Sequence, residues 1–122
     1  MQPVSRRILC VDDNADICEM LTLLLGSRGY GSTAAGTVED ALRLAGEGFD
    51  LFILDKMEPR DTGLELCREL RRGNPDAPII IYSADVFERH HREAFEAGAT
   101  AYVNKPDTET LVAAVRKLLD IL

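Results

Sequence analysis

Leu51-Phe52-Ile53-Leu54-Asp55-Lys56-Met57-Glu58-Pro59 is the stretch that decides the fold of this chain. Four apolar residues run without interruption into a carboxylate. A short apolar run bounded by polar residues reads as a strand buried on both faces, the kind found inside a parallel sheet. Asp55 then stands at the C-terminal end of that strand. In an open parallel sheet this rim is where ligands bind. Alone, the aspartate is better explained as a strand terminator that caps a turn. The other strands decide between the two.

Residues 8–11, Ile-Leu-Cys-Val, form a second buried run and end at Asp12-Asp13-Asn14. Residues 79–82, Ile-Ile-Ile-Tyr, form another, with Ser83 at its end. Weaker strands are predicted over 31–34 and 101–103, the latter followed by Asn104-Lys105-Pro106. Between the strands, apolar residues recur at helical spacing. Helices are predicted over 15–28, 38–45, 64–72, 86–97 and 108–122, with a turn over 59–63. Ile17, Leu21, Leu24 and Leu25 share one face of the first. Ala41, Leu42 and Ala45 turn inward in the second, and Leu66, Cys67 and Leu70 in the third. Leu111, Val115, Leu118, Leu119 and Leu122 stripe the last. Asn14 is the expected N-cap of the first helix and Gly29 its C′ residue. Thr37 with Asp40 reads as a capping box.

Strict alternation of strand and helix predicts an α/β domain: a doubly wound, five-stranded parallel sheet covered on both faces. Every strand's C-terminal end then lies on one rim. That rim collects Asp12, Asp13, Asp55, Ser83 and Lys105.

At 122 residues the chain is expected to form one domain over 1–122, with 1–6 as a flexible tail containing Pro3 and no separate output domain. The net charge is −7, which repels nucleic-acid phosphates and argues against direct DNA or RNA binding. No apolar run approaches the roughly 18 residues of a membrane span, and residues 1–7 lack a signal-peptide core, so a cytoplasmic location is the default. Cys10, Cys18 and Cys67 are widely spaced in apolar segments and read as buried free thiols.

Three clustered carboxylates repel by roughly 4 kcal/mol per pair at ~4 Å and an effective dielectric of about 20. A divalent cation relieves that repulsion, and hard oxygen ligands suit Mg²⁺. A lysine opposite adds a fixed positive charge and a hydroxyl adds a donor. Around one carboxylate, such a set makes a site for a tetrahedral dianion, where catalysis is mostly positioning and charge neutralisation. Asp55 would be the nucleophile, forming an acyl phosphate.

Asp-Asp after the first strand, Asp after the third, Ser after the fourth and Lys-Pro after the fifth together resemble the receiver domain of two-component response regulators, over nearly the whole chain. Pro59 and Gly63, four and eight residues past Asp55, strengthen the likeness. The resemblance implies the flavodoxin-like strand order 2-1-3-4-5. It implies a domain that accepts a phosphoryl group on Asp55 from the phosphohistidine of a sensor histidine kinase or histidine phosphotransfer protein, and passes the signal to a downstream protein. Such a domain assists only its own phosphorylation and dephosphorylation and is not otherwise an enzyme. By the same resemblance, Asp13, Asp55 and the Met57 backbone carbonyl bind Mg²⁺ directly, and Asp12 largely through water. Ser83, the Ala84 amide and Lys105 contact phosphoryl oxygens. Ser83 and Tyr102 form a switch, moving a face built from the fourth helix, fifth strand and fifth helix. That face also admits a homodimer.

The sequence departs from the family pattern in several places. Lys56 replaces a usual aliphatic residue and stands ready to pair with Glu58 or to tune local charge. Thr62 replaces a common acidic residue, and the aromatic usual after Lys105-Pro106 is missing. Met57 and Asp85 occupy positions that tune phosphoryl lifetime in the family.

Other readings fare worse. Asp12 to Asp16 begins like a calcium loop, but Ile17 and Leu23 stand where Gly and Glu are required. His90 and His91 are adjacent, point to different sides of a helix and lack a third ligand, so they read as surface residues, with Arg89 and Arg92 beside them. Tyr102 also reads as an ordinary half-buried strand aromatic. A pseudo-receiver that signals by contact alone shares the fold, but the intact site argues against it. An aspartyl-nucleophile phosphatase needs a second aspartate where Met57 stands. A flavodoxin needs donors, not carboxylates, after the first strand.

Overall fold

The structure, a computed structural model, describes residues 6–57, 62–86 and 88–120. The buried runs are strands. The elements in chain order are β1 (Arg7–Val11), α1 (Ala15–Gly26), β2 (Gly31–Ala35), α2 (Val38–Ala45), β3 (Leu51–Leu54), α3 (Thr62–Gly73), β4 (Ile79–Ser83), α4 (Glu88–Glu96), β5 (Ala101–Asn104) and α5 (Thr108–Leu119). All strand pairs are parallel, in the order β2-β1-β3-β4-β5. The fold class expected from the sequence is the one observed.

Alternation of side chains along each strand divides the core into two layers. Leu9, Val11, Phe52, Leu54, Ile79 and Ile81 face α2, α3 and α4, meeting Ala41, Leu66, Cys67, Leu70 and Ala94. Ile8, Cys10, Leu51, Ile53, Ile80 and Tyr82 face α1 and α5, meeting Leu21, Leu25, Leu111, Val115 and Leu119. Each buried Leu, Ile or Phe contributes roughly 1.5–3 kcal/mol of transfer free energy, so a central strand such as β3 is held by both faces at once. Register fixes the rim: Val11 pairs with Leu54, and Leu54 with Ile81. Asp12 and Asp55 therefore arrive at one level, with Ser83 one residue beyond it on β4.

The caps show how loop ends are fixed. Asn14 Oδ1 accepts from the Asp16 and Ile17 amides. Thr37 Oγ1 accepts from the Asp40 amide at 3.1 Å. Asp40 spends its own carboxylate on Arg43, so the capping box is realised in its forward half.

Some boundaries move. The first helix ends at Gly26, two residues short of the expected end, and Gly29 takes a φ of 89° in the following turn. Its buried face is Cys18, Leu21 and Leu25, with Ile17 and Leu24 half-buried. Leu42, expected inside, is 42% exposed. Val38, Ala41 and Ala45 sit at i, i+3 and i+7 and turn α2 so that Leu44 leans on the core and Leu42 lies off its edge. Two helices start elsewhere than expected: α3 begins at Thr62, and α4 at Glu88, with Val86 67% exposed before it. Leu122, Glu58, residues 59–61 of the expected turn, and most of the expected tail lie outside the described residues. Arg6 does not behave as tail: its carbonyl accepts from the Gly31 amide at 2.9 Å. Among the described residues, no helix is long and apolar enough to cross a membrane.

Candidate functional site

The C-terminal rim gathers its groups through backbone contacts between neighbouring strand ends. The Asp55 amide donates to the Val11 carbonyl at 2.9 Å, the Asp12 amide to Ala35 at 3.1 Å and the Lys105 amide to Ser83 at 2.9 Å. One oxygen each from Asp12, Asp13 and Asp55 lies within 4.8 Å of the others. Asp12 is 3% exposed, Asp13 is open to solvent and Asp55 lies between.

Lys105 answers the acidic cluster directly. Its Nζ donates to Asp12 Oδ2 at 2.7 Å and to Asp55 Oδ1 at 3.1 Å. Burial alone would lower the Lys105 pKa. Its bonds to Asp12 and the charge of Asp55 outweigh that, and the net shift is upward. Asp12's other oxygen accepts from the Asn14 amide, so protein donors reach both.

The turn after β3 shapes the acceptor side. The Met57 amide donates to Asp55 Oδ2 at 3.1 Å, and Met57 itself takes a φ of 54°. Few non-glycine residues adopt this left-handed region, so the turn carries strain at the site. The Gly63 amide donates to the Lys56 carbonyl at 2.7 Å, bringing the start of α3 against the turn.

A cavity of about 440 Å³ opens over Asp55, lined by Asp13, Lys56, Met57, Ser83, Ala84, Asp85, His90 and Lys105. Every residue expected at the site, Asp12 and Tyr102 apart, borders it. Asp12 lies beneath, through Lys105. Tyr102 stands behind Asp85, and its hydroxyl donates to the Asp85 carbonyl at 2.8 Å. Burial raises the pKa of that hydroxyl. Ser83 is 5% exposed, and its Oγ accepts from the Asp85 amide at 3.2 Å.

Sequence reasoning missed a second cluster on the same cavity. Lys56, 8% exposed, is not a free flanking charge: its Nζ donates to Asp85 Oδ2 at 3.0 Å. Glu58, the other partner considered for Lys56, lies outside the described residues. His90 is not a surface residue, since its Nδ1 contacts the same Asp85 oxygen. His91 stacks on the Tyr102 ring with centroids 3.9 Å apart. The two histidines do point to different places, but both point into the protein. The one signal available in the sequence was the misfit itself, a lysine in place of an apolar residue next to Asp55.

The carboxylate set fits Mg²⁺: three hard oxygen donors, one of them on a residue open to water. A lysine, a serine hydroxyl and the cavity opposite fit the oxygens of a tetrahedral anion.

Comparison with known proteins agrees with this geometry. Residues 8–116 match the family described as response regulator receiver domain. The response regulator MprA of Mycobacterium leprae is 38% identical over 115 residues, covering 93% of this chain and 50% of that protein. MprA of Mycolicibacterium vanbaalenii is 39% identical over 115 residues, with the same shares. The chain thus spans about half the length of the curated relatives it matches. Among solved structures, a CheY-like receiver domain from Methanospirillum hungatei superimposes with a TM-score of 0.89 at 28% identity, covering 96% of this chain and 95% of that one. TrrA of Thermotoga maritima, solved in complex with Mg²⁺ and BeF, gives a TM-score of 0.83 at 37% identity, covering 93% and 99%. With fold, rim chemistry and sequence in accord, this chain belongs to the response regulator receiver domains, the phosphorylatable signalling modules of two-component systems.

Proposed function

We infer that Asp55 is the phosphoacceptor and that the phosphoryl group comes from a phosphohistidine on a sensor histidine kinase or histidine phosphotransfer protein. The observation that carries this reading is the position of Asp55: the carboxylate shares Lys105 with Asp12 and faces a cavity walled by Ser83 and Ala84.

Asp13, Asp55 and the Met57 carbonyl would hold Mg²⁺, with Asp12 behind them. An ion held there would supply neutralisation of charge on the attacking carboxylate and on the phosphoryl oxygens. The chain's own residues do the rest. Lys105 keeps one Asp55 oxygen oriented and meets charge on the transferring group. The Ser83 hydroxyl and Ala84 amide donate to phosphoryl oxygens. The N–P bond of the phosphohistidine breaks as the Asp55 Oδ–P bond forms, and the imidazole leaves with the electron pair.

Tyr102 and Ser83 are the proposed switch. Both bond to Asp85, so a shift of Ser83 towards a phosphoryl group moves the loop that Tyr102 holds. The downstream partner is a protein that reads the face of α4, β5 and α5, a surface that also admits a homodimer. The negative charge of this domain argues against nucleic-acid contact through it, and the proposed location is cytoplasmic.

The test is labelling with a small phosphodonor such as acetyl phosphate in the presence of Mg²⁺. Labelling of the parent that is abolished by chelation and by Asp55→Asn is expected. Equal labelling of Asp55→Asn would sink the assignment.

A further inference from the structure

Asp85 is the most connected of the described residues in the loop between β4 and α4. Its amide donates to Ser83 Oγ at 3.2 Å. Its carbonyl accepts from Tyr102 Oη and from Asn104 Nδ2, each at 2.8 Å. Its carboxylate accepts from Lys56 Nζ at 3.0 Å and contacts His90 Nδ1 through the same oxygen. These contacts join four segments: the turn that carries Asp55, the loop that carries Ser83, the first turn of α4, and β5.

The cluster is screened from water. The Lys56, Asp85 and His90 side chains are 10%, 20% and 21% exposed. An ion pair this sheltered is expensive to break from one side, because the partner is left charged and poorly solvated. Lys56 lays its apolar stem where the family has an aliphatic residue and carries its ammonium across the cavity edge to Asp85.

Ser83 is where this matters chemically. A hydroxyl that accepts from the Asp85 amide has one of its two lone pairs committed to the loop and its hydrogen left to point elsewhere. The placement of Asp85 therefore sets the direction in which Ser83 can donate. We propose that Lys56 and His90 are positioning residues for phosphoryl transfer: by holding the Asp85 carboxylate between them they fix the Asp85 amide, and through it aim the Ser83 hydroxyl at the phosphoryl group on Asp55. This rests on Asp55 being the acceptor. It adds a route from the site to α4 through His90, beside the one through Tyr102.

The test is a cycle of initial labelling rates with acetyl phosphate and Mg²⁺. Lys56→Met keeps the stem and removes the charge. It is expected to slow labelling by about threefold or more, as coupled neighbours do. His90→Phe slows it in the same direction, and Lys56→Arg, which keeps a cation within reach of Asp85, restores most of the rate. In a Ser83→Ala background, Lys56→Met is expected to leave the already slower rate nearly unchanged, since the group it acts through is gone. An equal fold-loss in both backgrounds, the result a general loss of structure would also give, overturns the proposal, as does no loss in the parent background. If the parent fails to label, or if Asp55→Asn labels equally, the assignment of Asp55 fails first and this inference falls with it.

Discussion

The carbonyl oxygen of Asp55 lies where a side chain on Gly63 would have to begin: a Cβ there would stand 2.0 Å from it, and 2.7 Å from the Lys56 Cα. Both obstacles are backbone, so no rotamer relieves them. Gly63 is what lets α3 start against the turn that carries the proposed acceptor. Gly63→Ala should destabilise the fold by at least about 1–3 kcal/mol, the usual range for overpacking, measured by urea unfolding. The folded fraction should also label more slowly at Asp55, because the displaced backbone is the acceptor's own. An alanine variant with parental stability and labelling would mean that α3 can start elsewhere.

Lys105 competes for the carboxylates that would hold the metal. Its bonds to Asp12 and Asp55 make opposite predictions for two measurements on Lys105→Met. Labelling should fall by about tenfold or more, the size of one charge-assisted hydrogen bond. Mg²⁺ affinity should rise, because the cation replaces a competitor that has been removed. Titration calorimetry and labelling on one preparation check both, and a joint loss would mean that Lys105 supports the site's shape and not its charge balance.

How much of this was legible in the sequence depends on distance along the chain. The strands with four apolar residues in a row, β1, β3 and β4, announced themselves, and the rim residues followed because each begins where a strand stops. Leu42 was misplaced because a helix of 8 residues has too few apolar positions to fix its rotation without its neighbours. The Lys56–Asp85 contact joins residues 29 apart, and His90 reaches back to Asp85 from the first turn of α4. Such contacts depend on loop paths, which no periodicity encodes. The lysine showed that something was unusual beside Asp55, but not what.

Arg71 ties the opposite end of the sheet. Its guanidinium donates to the carbonyls of Gly98 (2.7 Å), Ala77 (2.7 Å), Asn74 and Pro75 (both 3.0 Å). One planar fork thus holds the loop before β4 to the loop before β5. Arg71→Ala should cost about 2–3 kcal/mol, since several part-buried carbonyls lose a charged donor together. Arg71→Lys should recover little, because one ammonium cannot span both loops. Labelling at Asp55 should be unchanged in the folded protein, which separates this stabilising role from the chemistry at the far rim.

Alkaline pH should loosen the fold through its thiols. Burial pushes Cys10 from 9.0 up to about 12 and Cys67 up to about 11. The folded state therefore holds these protons more tightly than the unfolded chain does. The resulting stability is fully present below pH 9, and is lost as the pH rises through 9 towards 11 and 12. Thermal midpoints should fall between pH 9 and 11 more steeply for the parent than for Cys10→Ala with Cys67→Ala. The slope is the readout, since the double variant also loses packing. Equal slopes would assign the alkaline loss to other groups, with Tyr30 first among them, since burial also raises its hydroxyl.

Tyr102 offers the sharpest separation of stability from signalling. Its hydroxyl shares the Asp85 carbonyl with Asn104 Nδ2, each at 2.8 Å, so that acceptor stays satisfied when one donor is lost. Its ring remains stacked on His91 whether or not the hydroxyl is present. Tyr102→Phe should therefore cost no more than about 1 kcal/mol in unfolding experiments. Labelling at Asp55 should persist, because the hydroxyl touches neither Asp55 nor Lys105. What should change is the response of α4. On adding Mg²⁺ and beryllofluoride, amide shifts at residues 93–96 should shrink in Tyr102→Phe, while those around Asp55 stay as in the parent. Parental shifts along α4 would show that the hydroxyl carries no part of the signal and leave the ring stack on His91 and the contact between Asp85 and His90 as connections to that helix.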